Sequence, residues 1–501
     1  MLLLPDIVSA DDTLWNMPYM RPSKYNYSNY FSTDVTAYLA SDPAYFKKRL
    51  TSGWNYYKTN FIMSSGLVNQ MQGNGVGTTT AVSEGQGYGM LLALINNDQA
   101  TFNRIFQAAN QYMWNSSHNS YFNWKVVNGS VSATGAATDA ELDVCMALIF
   151  ADKLQKNSAI TKWQAFNSGG VTYSSRATQM LQSISANMTQ NNYLLPGDNW
   201  AGNGMNNLDP SYFATGWMHA FDQFQTTYKF TPVAATCYTV LKSRSAQFNK
   251  GQAPDWCSSS GGQASSPQSG QTYQGLGMTE DAIRTPWRIC MDALWFDNSD
   301  AKTFCSNSRN TLTNYTQTAS DPLALKAQLT EYTNSQTPVP ASVARAGAFH
   351  FAAMWLCGAI GSKDAAYAKQ CINGTWLQAI AGVTDCFGDK AQSDQYYYYN
   401  QSLAMLGFAA ITGMFPNVLA DTIKAVNIAA FPRQAKASAF NGVRVFSDGL
   451  RFALPDAANR DVTVALYDAK GKRALRRVMD GRGRSEAGEY FTPMGAGRLA
   501  P

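Results

Sequence analysis

The chain has 501 residues, enough for one large domain with a small companion or for three ordinary domains. Charged side chains make up 15% and aromatic ones 13%, a balance that suits a neutral, flat ligand such as a glycan and equally a large, well-filled core. The formal charge of +5 resides near the C-terminus: residues 433–501 hold 13 Lys/Arg against 7 Asp/Glu, leaving 26 basic and 27 acidic side chains before them, so the main body lacks a polyanion-binding signature and no nucleic acid is expected as a partner.

No apolar run reaches the roughly 18 residues of a membrane span, and no membrane association is expected. The first residues have neither a basic leader nor an adequate apolar core, so a complete signal peptide is not visible and secretion is expected with the leader removed. Eight cysteines show no C-x-x-C spacing, and disulfides and buried free thiols stand equal. His118, His219 and His350 are far apart, without ligand spacing, and read as structural. No metal and no cofactor are expected.

In chain order, residues 42–61 (DPAYFKKRLTSGWNYYKTNF) read as a helix with Asp42 and Pro43 at its start. Residues 81–94 (AVSEGQGYGMLLAL) follow, with Glu84 their one charged side chain. Ser83 and Gln86 have capping-box spacing, which puts Glu84 in the first turn of a nearly apolar helix. Alone, such an acid reads first as a partner of the helix dipole. Gly85, Gly87 and Gly89 weaken a helix by about 1 kcal/mol each relative to alanine, which implies close approach of another element there.

The next helix, in DQATFNRIFQAANQYMW, is amphipathic, with Phe102, Ile105, Phe106, Ala109 and Met113 on one side. A nearly apolar helix followed by an amphipathic one implies an inner and an outer layer. The alternation recurs in ATDAELDVCMALIFADKLQ and residues 175–188, then around SYFATGWMHAF, AIRTPWRICMDALWF, ARAGAFHFAAMWLCGAI and YNQSLAMLGFAAITGMF. No strand pairs are expected before about residue 442, and the fold class is all-α, a layered helical barrel. The Ser/Gly/Gln-rich residues 258–275 read as a loop within the domain, since helical pattern resumes directly after them.

Composition changes near residues 431–440. Beyond, short alternating runs with turns at Ser447-Asp448-Gly449 and Lys470-Gly471-Lys472 mark a small β module that reads as incomplete. The domain expectation is therefore a helical domain over residues 11–430, a linker over 431–441 and a β-sandwich-like module over 442–501.

Asp139 repeats the setting of Glu84, with Thr138 and Glu141 at capping-box spacing, and Asp281 follows Thr279 at a third helix start with Arg284 one turn on. Parallel inner helices would bring these acids to one end of the barrel. Two acids flanking a bond are what glycoside hydrolysis requires, one to protonate the leaving oxygen and one to activate water or attack. A helix start depresses the pKa of Glu84, and negative charge on Asp139 would raise it again.

SEGQGYGM, ATDAELDVCMALIFADKL, LLPGDNWAG, DPSYF, PDW, EDAIRTPWR and YYYYNQSLAMLGFAAITGMFPN fall in the order and spacing of glycoside hydrolase family 8, over roughly residues 27–416. The chain resembles that family's endo-β-1,4-glucanase members. The resemblance implies an (α/α)6 barrel, an inverting mechanism and no metal requirement. It places Glu84 at the general acid, Asp281 at the general base, Asp139 at the carboxylate holding the distorted sugar and Arg284 beside the base. Trp124 and Trp200 match stacking platforms; Tyr212, Tyr396 and Tyr399 match cleft tyrosines.

The chain departs from the family pattern at Glu280, where a tyrosine that positions the attacking water is usual; Glu280 is thus both a candidate substrate-binding residue and a rival base. Glu141, Val144 and Cys145 depart in ways that read as packing changes. A β-1,4-glucan is the expected partner and the chain is expected to be a monomer. The alternatives are a xylanase of the same family, a chitosanase, for which the base lies elsewhere, and a glycan-binding protein whose catalysis has lapsed.

Overall fold

The computed structural model describes residues 30–31, 35, 45–71, 79–116, 120–156, 163–198, 204–265, 275–312, 329–339, 349–375, 386–387 and 397–419, together with five strands between residues 443 and 493. The chain divides into two units, Thr13–Leu419 and a second that contains those five strands. Residues 431–441 lie outside the described residues.

Among the described residues, twelve helices of nine residues or more alternate between two layers of the first unit. The outer set is α1 (Tyr45–Phe61), α3 (Gln99–Tyr112), α5 (Tyr173–Asn187), α7 (Thr231–Ser243), α9 (Ser299–Asn307) and α11 (Ala365–Thr375). The inner set is α2 (Ser83–Ile95), α4 (Thr138–Gln155), α6 (Thr215–Phe224), α8 (Thr285–Phe296), α10 (Phe349–Gly361) and α12 (Tyr398–Ile411). Each inner helix packs on the next, and α12 packs back on α2, which closes the ring. The fold is the expected (α/α)6 barrel.

Sequence decides the layer. Helix α10 is apolar all round and every residue in it is buried, as suits a helix packed on all sides. Helix α3 buries Phe102, Ile105, Phe106, Ala108 and Ala109 and turns its other face outward. Its start is capped by Asp98, which accepts the Thr101 N–H at 3.0 Å. Helix α5 begins with a reciprocal cap between Thr172 and Ser175, while α7 and α8 carry a proline in their first turn.

Two expectations are corrected. Strands do precede residue 442: β1 (Thr80–Val82), β4 (Lys125–Val127) and β5 (Ser130–Ala133) form an antiparallel sheet, and β2 (Trp114–Asn115) with β3 (Tyr121–Phe122) and β6 (Thr189–Gln190) with β7 (Tyr193–Leu194) form two-residue ladders. Runs of two to four residues are too short for alternation to register. The two capping boxes are also absent: Val82 and Ala137 occupy the cap positions without side-chain caps. Gln86 instead accepts the Val68 N–H at 2.8 Å and donates to the carbonyls of Val68 and Val82.

All eight cysteines are buried. The second unit holds a ladder of β10 (Val462–Tyr467) with β11 (Arg473–Met479) and a sheet in the order β12 (Glu489–Pro493), β9 (Gly449–Ala453), β8 (Val443–Phe446), all antiparallel.

Candidate active site

The starts of the inner helices converge. Glu84 is the second residue of α2, Asp139 the second of α4, and Asp281 stands just before the 3-10 turn Ala282–Arg284 that leads into α8. Arg284 is the hub. Its Nη1 lies 2.6 Å from Glu84 Oε1 and 2.9 Å from Asp139 Oδ2. Its Nη2 lies 2.7 Å from Ser211 Oγ, 3.4 Å from Asp281 Oδ1 and 3.8 Å from Asp209 Oδ2. The Arg284 side chain is 4% exposed, Glu84 15% and Asp281 28%, so Asp281 is the most open of the three.

Glycines make these approaches possible. A Cβ on Gly85 would sit 3.2 Å from the Tyr398 ring, one on Gly87 2.9 Å from Asp143 Cβ, and one on Gly89 2.9 Å from Val68. Gly87 lets α2 lie against α4, and Gly85 lets Tyr398 reach Glu84. Tyr398 donates to Glu84 Oε2 and Tyr88 donates to Oε1 at 2.9 Å.

Burial pushes the Glu84 carboxyl above its ordinary value; Arg284 pulls it back and Asp139 pushes it up again, with the net direction upward. The expected rise is present, though burial rather than Asp139 is its leading cause. Asp139 is raised for the same first reason. Burial works against the charge of Arg284, but Tyr399, Tyr88, Glu84 and Asp139 together hold its pKa above the ordinary value, so it stays protonated.

Asp281 sits on a turn that other groups hold. Trp256 Nε1 donates to Asp281 Oδ2 at 3.1 Å. Asp255 accepts the N–H groups of Thr279 and Ala282, both at 2.9 Å, and the Thr279 hydroxyl. Burial and then the nearby Asp281 raise Asp255 to about 7. Asp209 caps the turn Pro210–Tyr212 through Ser211 N–H at 2.8 Å and is raised well above its ordinary value, first by burial.

Tyr212 and Tyr399 place their rings 5.2 and 5.9 Å from the Arg284 guanidinium, and the Tyr399 hydroxyl donates to the Glu280 carbonyl. The Glu280 carboxylate, 37% exposed, lies 3.9 Å from the buried His350 at the start of α10. Trp124 is half-buried at the end of the β3 hairpin; its carbonyl accepts the N–H of Ser83, the residue before Glu84, at 2.9 Å. Trp200, Tyr396 and His118 lie outside the described residues.

Sequence reasoning left Tyr88, Tyr398, Asp209, Ser211, Asp255 and Trp256 unassigned. Tyr88 had a signal, because it stands four residues after Glu84 and therefore on the same helix face.

A sequence profile described as "Glycosyl hydrolases family 8" matches residues 17–413. The chain belongs to glycosyl hydrolase family 8. This family 8 chain is 30% identical over 424 residues to "Endoglucanase 2" of Ruminiclostridium josui, covering 82% of this chain and 79% of that one. It is also 30% identical over 393 residues to "Endoglucanase A" of Acetivibrio thermocellus, covering 76% and 73%. Among solved structures, the barrel superposes on a β-1,3-1,4-glucanase from Paenibacillus sp. X4 with a TM-score of 0.60 at 21% identity, covering 74% of this chain and 92% of that one. A cold-adapted family 8 xylanase gives 0.56 at 19% identity, covering 74% and 91%. At these identities the two structures speak for the shared fold of family 8.

Proposed function

We propose that this family 8 hydrolase is an inverting endo-β-1,4-glucanase acting on cellulose or mixed-linkage β-glucan. The observation that carries the reading is the single guanidinium of Arg284, which gathers Glu84, Asp139 and Asp281 from the starts of three inner helices. The endoglucanase names of its relatives support the substrate class.

Glu84 is the general acid. Its burial favours the protonated form, and Tyr88 and Tyr398 hold its two oxygens so that the proton faces the glycosidic oxygen. Asp281 is the general base, the more open carboxylate, which takes a proton from water while Trp256 Nε1 on Oδ2 and Arg284 Nη2 at 3.4 Å from Oδ1 fix its orientation. Water then attacks the anomeric carbon from the face opposite the leaving oxygen, and the configuration inverts; this geometry needs room for water between the carboxyls, about 6.5–9.5 Å. Arg284 holds the two on different nitrogens. Asp139, locked by Arg284, bears on the sugar at the cleaved bond, and Trp124, Tyr212 and Tyr399 offer ring faces to neighbouring sugars. A polymeric glucan cannot cross a membrane, so the enzyme acts outside the cell that makes it, as a monomer.

The test is reducing-sugar release and viscosity loss on carboxymethylcellulose, barley β-glucan and xylan by wild type, Glu84→Gln and Asp281→Asn. Each variant is expected to lose about 10²- to 10⁴-fold in kcat on the glucans, and viscosity should fall early relative to reducing ends. Proton NMR of the first product should show the α-anomer. Activity retained in Asp281→Asn would transfer the base to Glu280 or elsewhere. Activity on xylan alone would overturn the substrate, and binding without any product would favour a lapsed enzyme.

A further inference from the structure

We propose that Glu141 is a positioning residue for the Trp124 platform: from the first turn of α4 its buried carboxylate holds the backbone of the β3 hairpin and so sets where the Trp124 ring stands. The inference rests on the reading above, in which Trp124 is a sugar platform.

Glu141 follows Asp139 by two residues, a step of about 200° around the helix, so the two acids leave α4 on nearly opposite sides. Asp139 reaches Arg284. Glu141 reaches the other way, and its Oε1 accepts the Phe122 N–H at 2.8 Å. It is wholly buried, and its Oε2 has no hydrogen-bond partner among the described residues. Filling space alone calls for an apolar side chain at such a site, since a buried carboxylate is costly unless its hydrogen bonds are used.

What Glu141 holds is a short stretch tied at both ends. Phe122 is buried, edge-on to Trp114 at 5.0 Å, and Trp114 is in turn covered by the Arg176 guanidinium at 3.4 Å. Two residues on, the Trp124 N–H donates to the Gly135 carbonyl at 2.9 Å and the Trp124 carbonyl accepts from Ser83 at 2.9 Å. Lys125, the next residue, pairs with Val82 on the strand that runs into α2. The backbone of residues 122–125 is therefore held by Glu141 at Phe122, by the Met113 carbonyl at Asn123, by Gly135 and Ser83 at Trp124, and by the strand that feeds Glu84 at Lys125, and among these Glu141 is the one side chain that comes from the helix bearing Asp139. Releasing that side chain lets the Trp124 ring shift relative to the cleft while leaving the acid, the base and Arg284 in place.

The experiment is a double-mutant cycle on soluble β-glucan with Glu141→Leu, Trp124→Ala and their combination, alongside Glu141→Gln, whose amide oxygen still accepts the Phe122 N–H. Glu141→Leu is expected to raise KM about five- to tenfold with kcat within about twofold of wild type, and Glu141→Gln to restore KM. In the Trp124→Ala background Glu141→Leu should add nothing to KM, because both act through one ring. If Glu141→Leu does not fold, Glu141→Asp withdraws the acceptor by one methylene and enters the same cycle. Additive KM effects, or loss of thermal stability with KM unchanged, would overturn the proposal while leaving the platform standing. An unchanged KM in Trp124→Ala would overturn both.

Discussion

Arg284→Met removes the cation that contacts Glu84, Asp139 and Asp281 alike, and replaces it with a shorter, uncharged side chain. Taking one partner from a buried ion pair costs about 3–5 kcal/mol, because the remaining charge is left without compensation. Here the carboxylates have an escape, since they can take up protons. Glu84 and Asp139 are already raised above their ordinary values with the arginine present, and Arg284 is the largest influence holding them down. Without it both rise further.

The sign follows from linkage. A carboxyl whose folded pKa lies above its unfolded value adds stability that is fully present below the unfolded pKa and is lost as pH rises through the folded one. Each proton kept by the folded variant, given up by the folded wild type and released on unfolding therefore costs the variant about 1.4 kcal/mol per pH unit. The melting temperature of Arg284→Met, followed by far-UV circular dichroism, should fall below wild type by a gap that widens as pH rises through the wild-type pKa values of Glu84 and Asp139 toward their higher values in the variant. A gap that stays constant across the whole pH range of folding would mean that Glu84 and Asp139 do not rely on Arg284 for their charge, and the hub reading would fail.

Trp256→Phe keeps an aromatic ring and removes the N–H that holds Asp281 Oδ2; kcat on β-glucan should drop about tenfold with KM nearly unchanged, as for a group that acts only through Asp281. An unchanged kcat would remove Trp256 from the positioning of Asp281. Gly87→Ala places a methyl 2.9 Å from Asp143 Cβ between α2 and α4, and overpacking there should cost about 1–3 kcal/mol, read as a lower melting temperature. A neutral effect would show that the helix pair can separate without penalty.

The layers of the barrel were legible because the inner helices are apolar on most faces and the outer ones on one. The site acids were legible because three carboxylates at three helix starts, within motifs in family order, point to a site where one alone reads as a dipole partner, and Glu84, Asp139 and Asp281 all meet at Arg284. The capping boxes were misread because spacing does not tell which partner wins: the Gln86 carboxamide serves Val68, brought to it by the chain before β1, and Glu141 serves Phe122. Asp209 and Asp255 escaped notice because they lie on turns, and their partners at Arg284 and Thr279 depend on ring closure over long sequence distances. The strands of two to four residues carried no usable period.

The same two helices show why the site sits where it does. Asp143 stands one turn below Asp139 on α4, and Arg288, on α8, stands four residues after Arg284; the lower pair is bidentate, wholly buried and joined by Trp217 Nε1 at 2.9 Å. One turn inside the barrel a carboxylate thus has an arginine to itself. At the rim, one arginine serves Glu84, Asp139 and Asp281 at once. The difference is the convergence of helix starts, each with unpaired N–H groups and a partial positive charge of about half a unit, together with the tyrosine hydroxyls of Tyr88 and Tyr398. The lower rung also ties α4 to α8, one turn below the point where Arg284 stands between Glu84 and Asp281.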